Sequence, residues 1–345
     1  MELPHITDVA AKQVIDSTKA FKEYVRVRNE LKELGSSIRW KNVKGYQYLV
    51  QREGHRLTYL GKRSPATEQK HDEHAKKRKR LETRFKSLSE IVETSQRMNK
   101  AVRAGAVPAE LMEVLLKLDE LDLADRSILL GAPALYAYGQ SSGLRIDAIK
   151  TASKRESLVA ETAKCVHVLI EDSDSSTSTS FNKLSESMKR IASVKHTAVK
   201  RGRGTGTALD IVFHLSKNAA FDKVSTKISR KLTQKAERPA EPWLDIIRAA
   251  PKYEQVVISK TGKMAVMRTV DPLLFTMSFQ CTKALDRTPT LTQDLEASQI
   301  KLVETMLKEH MVNSKIDPAQ LALLGKCISP ESLSSPILAC PLPGA

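Results

Sequence analysis

Residues 165–172 read C-V-H-V-L-I-E-D. Val166, Val168, Leu169 and Ile170 make an apolar run too short for a helix, which predicts a strand buried inside a sheet. The run ends abruptly in acid and passes into S-D-S-S-T-S-T-S, a polar loop over 173–180. Side chains at such strand exits commonly carry binding or catalysis. Two other runs have the same character. S-I-L-L at 127–130 stops at Gly131, and A-L-D-I-V-F-H-L at 208–215 embeds Asp210. A carboxylate within an apolar strand is costly to bury unpaired, so Asp210 calls for a metal, a base or a hydrogen-bond partner. Gly131 lets the backbone approach a ligand at the start of the short helix expected after it.

Helical periodicity separates these runs. Residues 6–34 carry Val9, Val14, Ile15, Phe21, Tyr24, Val25, Leu31 and Leu34 at helical spacing, and Gly35 supplies a stop. The period then changes to two, with Ile38 and Trp40 followed by Tyr46, Tyr48 and Val50, and then H-R-L-T-Y-L before Gly61. This predicts a hairpin or three-stranded sheet with Arg39 and Lys41 on the face opposite Ile38 and Trp40. Pro65 opens a long basic helix to about 103, containing K-K-R-K-R at 76–80. An amphipathic helix reaches about 120, and a helix is expected near 181–193. Later come a hairpin turning at Thr261–Gly262, a helix from Asp271–Pro272, helical segments near 291–312 and 317–326, and a Ser/Pro-rich tail expected to fray. The mixture is α+β, with an N-terminal helical region carrying a small hairpin (1–104), an α/β core (105–270) and a C-terminal helical region (271–345).

Charge points to partners. The formal charge is +16, and excess Lys and Arg attract polyanions such as nucleic acid or an acidic protein. Candidate nucleic-acid contacts are Arg39 and Lys41 on the hairpin, Lys77, Arg78 and Arg80 on the basic helix, and Arg201 and Arg203 in K-R-G-R-G-T-G-T. Glu68, Asp72, Glu73 and Glu82 intersperse the helical bases, so plain solvation of that face is the competing expectation. The four cysteines are widely spaced with no C-x-x-C, which fits a reducing compartment better than a disulfide framework. No apolar stretch is long enough for a membrane span, and M-E-L-P-H-I-T-D lacks a signal-peptide layout, so a cytoplasmic protein is expected.

Several blocks, in order, resemble a bacterial family of polymerase-β-like nucleotidyltransferase-fold proteins. They are S-I-R-W-K (37–41), K-G-Y-Q-Y-L (44–49), L-G-K-R-S-P-A-T-E (60–68), G-A-P-A-L-Y-A-Y (131–138), G-L-R-I (143–146), W-L-D-I-I-R-A-A-P-K-Y (243–253) and D-P-L-L-F (271–275). The resemblance implies a mixed sheet flanked by helices. It also implies transfer of a nucleoside monophosphate from a nucleoside triphosphate, with Mg²⁺ as cofactor if activity survives. In that chemistry an Asp-x-Asp pair on one strand and a third acid on its neighbour hold the ions, which polarise the α-phosphate and neutralise pyrophosphate. The Gly turn holds the triphosphate through backbone amides.

Laid on this chain, the pattern is uneven. The resemblance puts the third acid at Asp210 and the phosphate turn at Gly131 and Ala132, where Ala132 replaces a hydroxyl-bearing residue. The Asp-x-Asp pair falls on Cys165 and His167, and a further acid on the strand is Glu171. A His-Lys pair falls on Ser278 and Phe279, and an Arg-Asp pair on Gln293–Asp294. Asp210 and Glu171 are therefore the expected catalytic and metal-holding residues, around a pocket with Gly131. Cys165 and His167, two apart, would with Asp210 also suit zinc. Two functions stay open: a nucleotidyltransferase with impaired or altered catalysis on an unknown acceptor, and an inactive relative that regulates or binds nucleic acid.

Overall fold

A computed structural model describes residues 3–35, 38–53, 56–149, 165–171, 210–217, 220–226, 247, 250–277, 291–309 and 311–316. The expected helices near 181–193 and 317–326, the loop 173–180, Ser278, Phe279, Arg201 and Arg203 lie outside these residues. The described residues fall into two compact units, Lys12–Val102 and the remainder.

In the Lys12–Val102 unit, helix α1 (Asp8–Leu34, its first residues outside the unit) and helix α2 (Pro65–Ala101) flank a three-stranded antiparallel sheet in sequence. Its strands are β1 (Ile38–Val43), β2 (Tyr46–Glu53) and β3 (Arg56–Lys62), in the order β1-β2-β3. Lys44 and Gly45 turn β1 into β2 with φ of 50° and 81°, a left-handed pair that suits a tight hairpin. Ser64 caps α2 through a reciprocal capping box with Thr67, and Pro65 occupies the first turn. Val27 of α1 and Leu81 and Leu88 of α2 form a small core edged by Tyr24, Leu31, Leu34 and Phe85. Beside it Arg84 and Arg26 reach Glu23 at 2.6 and 2.7 Å. Hydrogen bonds from Arg26 and Arg84 hold the Glu23 carboxyl down at about 2. Two residues of the expected apolar stripe on α1 do not belong to it: Val9 and Ile15 are exposed, because the buried positions run Ala10, Val14, Ser17 and Phe21.

The second unit is built on a six-stranded mixed sheet in the order β7-β6-β5-β4-β9-β8. Its strands are β4 (Ser127–Leu130), β5 (Cys165–Glu171), β6 (Asp210–Lys217), β7 (Ala220–Thr226), β8 (Tyr253–Ile258) and β9 (Met264–Thr269). Strand β5 runs antiparallel to β4 and parallel to β6, and β4 runs parallel to β9. The expected hairpin is β8–β9, closing at Gly262 with φ of 86°. Helices α3 (Ala109–Glu120), α4 (Ala134–Ser142) and α5 (Leu291–Lys308) complete the unit. One core joins them: Leu111 and Leu115 from α3, Leu135 and Tyr138 from α4, and Leu302, Val303 and Met306 from α5 cluster with Ile128, Leu129, Val168, Leu169 and Met267 of the sheet. The expected α+β class, a mixed sheet with helices, is what the chain adopts.

Two polar knots tie this unit together. Asp271 is fully buried, yet it accepts hydrogen bonds from Leu273 N (2.9 Å), Ser314 Oγ (2.7 Å) and Lys315 N (2.7 Å). Its carboxylate caps the helical turn 272–277 and binds the segment 311–316 to it. At the second knot Arg145 contacts Asp147 through Nε (3.1 Å) and Nη2 (3.2 Å), and Lys260 approaches the same carboxylate at 3.4 Å. Burial pushes the Asp147 carboxyl up, but Arg145 and Lys260 outweigh it and hold it below its ordinary value. Arg145 of G-L-R-I thus has a structural occupation.

Candidate nucleotide site

The site begins where β4 ends. All four residues of β4 are buried, and the chain leaves the sheet at Gly131 with φ of 77°. A Cβ there would meet nothing within 4 Å, so the glycine is required by backbone conformation and faces open space. Helix α4 then starts through a tight turn in which Ala134 N, Leu135 N and Tyr136 N donate to the carbonyls of Gly131, Ala132 and Pro133 (3.0–3.1 Å). Pro133 has no N–H to give. At most the amides of Gly131 and Ala132 remain to face a phosphate, and no side chain caps the helix.

The tyrosines of G-A-P-A-L-Y-A-Y are buried beneath this turn. Tyr138 donates to Val270 O at 2.7 Å and meets Tyr253 and Phe275 edge-to-face. Tyr253 in turn donates to Ser141 Oγ at 2.6 Å. Burial pushes the Tyr136 and Tyr138 phenols well above the ordinary tyrosine range. The Tyr138 ring anchors α4 to β8 and the helical turn 272–277, and Tyr136 is buried beside it in the chain.

Strand register assembles the rest. Leu130, just before the Gly131 turn, is the Cα partner of His167. Cys165 is the Cα partner of Asp210, and His167 of Val212. The C-terminal end of β4 and the N-terminal ends of β5 and β6 therefore meet at one edge of the sheet. Gly131, Ala132, Cys165, His167 and Asp210 are brought together there by backbone alone.

Glu171 is not. Its partner is Ser216, six residues along both strands from the Cys165–Asp210 pair. At about 3.3 Å per residue that is roughly 20 Å. The expected pocket between Gly131, Glu171 and Asp210 does not form, and Glu171 cannot share an ion with Asp210. The reason is geometric: β5 and β6 are parallel and start level, so an acid at the end of one is remote from an acid at the start of the other.

Among the described residues, this edge sets one carboxylate, Asp210, level with Cys165 and close to His167. Mg²⁺ takes hard oxygen ligands in near-octahedral geometry, and a thiol and an imidazole are poor substitutes. The described residues at this edge do not by themselves fit the two-ion carboxylate cage.

Among the proposed nucleic-acid contacts, Arg39 and Lys41 are exposed on β1, opposite the Trp40 face as the alternation predicts. Lys77 and Arg80 are exposed on α2. Arg78 is engaged inside the fold: Nε donates to Glu82 (2.7 Å) and Nη1 to Gly35 O (3.2 Å). Four residues escaped the sequence reading as site candidates, Tyr46, Tyr48, Tyr59 and Lys62. Alternation in K-G-Y-Q-Y-L and R-L-T-Y-L-G-K marks them as strand residues, and exposure of Tyr46 and Tyr59 is visible only in the fold.

A family model described as "Nucleotidyltransferase" matches residues 84–322, more than half of the chain. The chain belongs to this nucleotidyltransferase family. The match takes in every strand of the six-stranded sheet, Gly131, the Cys165–Asp210 pair and helix α5. Strands β1–β3 lie before it. No curated protein and no solved structure matches the chain. Membership of this family suggests a nucleotide substrate. No helix among the described residues is long and apolar enough to cross a membrane.

Proposed function

We propose that this protein is a nucleotidyltransferase-family member in which Mg²⁺-dependent transfer of a nucleoside monophosphate is impaired, and which works chiefly by binding. The observation that carries this is the register pairing of Cys165 with Asp210, beside the Gly131 turn. Transfer chemistry needs several carboxylate oxygens at that edge, to hold ions against the α-phosphate and the leaving pyrophosphate. A thiol and an imidazole at 165 and 167 remove two carboxylates without supplying hard oxygen donors. The turn compounds the loss: Ala132 offers no hydroxyl, and Pro133 no amide.

What remains suits binding. The net charge of +16 favours a polyanionic partner, nucleic acid or an acidic protein. Retention of Gly131 and Asp210 favours a second reading, residual transfer to an unknown acceptor through a single ion held by Asp210. Calorimetry of the full chain with ATP, GTP, CTP and UTP, in Mg²⁺ and in EDTA, separates the two. The expected result is nucleotide affinity that Mg²⁺ leaves unchanged. Mg²⁺-dependent affinity that disappears in Asp210→Ala would establish the second reading instead.

A further inference from the structure

The three-stranded sheet of the Lys12–Val102 unit has two unlike faces. On one, Trp40 and Leu49 are register partners; Leu49 is fully buried, and the Trp40 ring lies 5.7 Å from His71 of α2. The other face carries a rung of Lys41, Tyr48 and Lys62. Arg39, Val50 and Tyr59 form the next rung, and Tyr46 follows two residues from Tyr48.

On this second face Val50 is buried and Tyr48 half-buried, and two rings stand out to solvent. Tyr46 and Tyr59 are 60% and 51% exposed. Each ring is attended by a lysine: Lys62 Nζ stands 4.6 Å from the centre of Tyr46, and Lys41 Nζ 5.8 Å from that of Tyr59. Lys41 also donates to the Tyr59 hydroxyl at 3.4 Å, and Tyr48 meets Tyr59 edge-to-face at 5.9 Å. From Ile38 to Lys62 the chain holds Arg39, Lys41, Lys44, Arg52, Arg56 and Lys62 against a single acid, Glu53.

Cations alone would suit any polyanion, but exposed ring faces interleaved with cations suit one kind. An unpaired nucleobase stacks on a tyrosine, and the phosphate beside it takes the lysine that had covered the ring. A duplex keeps its bases stacked inside and can use only the cations. An acidic protein likewise engages the lysines and leaves the rings unused. The phenol hydroxyls beside the stacking faces can exchange hydrogen bonds with a 2′-hydroxyl, which RNA has and DNA lacks. We propose that the Tyr46, Tyr48 and Tyr59 face of β1–β3, with Arg39, Lys41 and Lys62, binds single-stranded RNA. The inference stands apart from the fate of transfer at Asp210, because it rests on other residues and on strands outside the family match.

The test is fluorescence anisotropy of the full chain with a labelled, non-self-pairing RNA of about a dozen nucleotides. Binding is expected at low salt and weakens as salt rises. Tyr46→Ala/Tyr59→Ala should lose roughly tenfold or more in affinity, whereas Tyr46→Phe/Tyr59→Phe should keep the stacking but lose the preference for RNA over DNA. Lys41→Ala/Lys62→Ala should flatten the log–log salt slope by about one per lysine. Unchanged melting of these surface variants checks that each is folded. The proposal is overturned by absence of RNA binding at low salt, or by full affinity in the double alanine variant. It is equally overturned if DNA of the same sequence, duplex RNA or heparin competes as well as the single-stranded RNA.

Discussion

The two sheets of this molecule divide packed and exposed positions in different ways. In the six-stranded sheet Leu129, Val168 and Met267 join one buried core, while the edge formed by β4, β5 and β6 sets Cys165 level with Asp210. In the three-stranded sheet one face is packed through Trp40 and Leu49, and the other exposes Tyr46 and Tyr59 among lysines. A fold survives replacement of its reacting groups because those groups contribute little to the core. An exposed aromatic ring, by contrast, adds little to a core. Its presence calls for a partner.

That contrast separates stability from binding, residue by residue. The largest effect on stability is expected at Asp271. Asp271→Ala removes the acceptor for three donors in a dry site and should cost about 3 kcal/mol, read as a lowered unfolding midpoint. Tyr59→Phe, on the open face, should stay within about 0.5 kcal/mol of the parent. A large loss there would make Tyr59 a packing residue and blur the distinction between the two faces.

A smaller effect than at Asp271 is expected at Asp147. Its carboxyl is held below its ordinary value in the folded chain, so its contribution is complete above the unfolded value, near 3.8, and is lost as pH falls through the folded one. Lys260 is largely exposed and screened, so the contribution is modest. Melting curves of Asp147→Asn and the parent should differ near neutrality and converge as the solution is acidified below about pH 4. Persistence of the gap in acid would deny the Arg145–Asp147–Lys260 cluster any electrostatic role.

Much of this was legible in the chain. Period-two alternation put Arg39 and Lys41 opposite Trp40, and the register agrees. The runs ending at Gly131 and beginning at Cys165 and Asp210 are strands, and Gly262 closes the hairpin. What escaped was set by tertiary pairing. Strand β7, A-F-D-K-V-S-T, has too weak an alternation to declare itself, and forms by pairing antiparallel with β6. The distance from Glu171 to Asp210 depends on how β5 and β6 align, which the residues of neither strand encode. Arg78 reads as one base in a basic run until the carbonyl of Gly35 comes within reach of it. The tyrosines of β2 and β3 counted as strand formers, because only burial reveals which rings are left uncovered.

The central claim, that the edge of β4, β5 and β6 keeps its frame but has lost its carboxylates, is tested most directly by restoring them. Cys165→Asp/His167→Asp places a carboxylate beside Asp210 and another two residues along β5. Labelling with radioactive nucleoside triphosphate and Mg²⁺ is then compared between the parent and this variant. The account predicts a parent no more active than its Asp210→Ala variant, and a gain of at least about tenfold in Mg²⁺-dependent labelling or nucleotide affinity on restoration. A parent that labels efficiently with Mg²⁺, loses this in Asp210→Ala and gains nothing from the restored pair would contradict it.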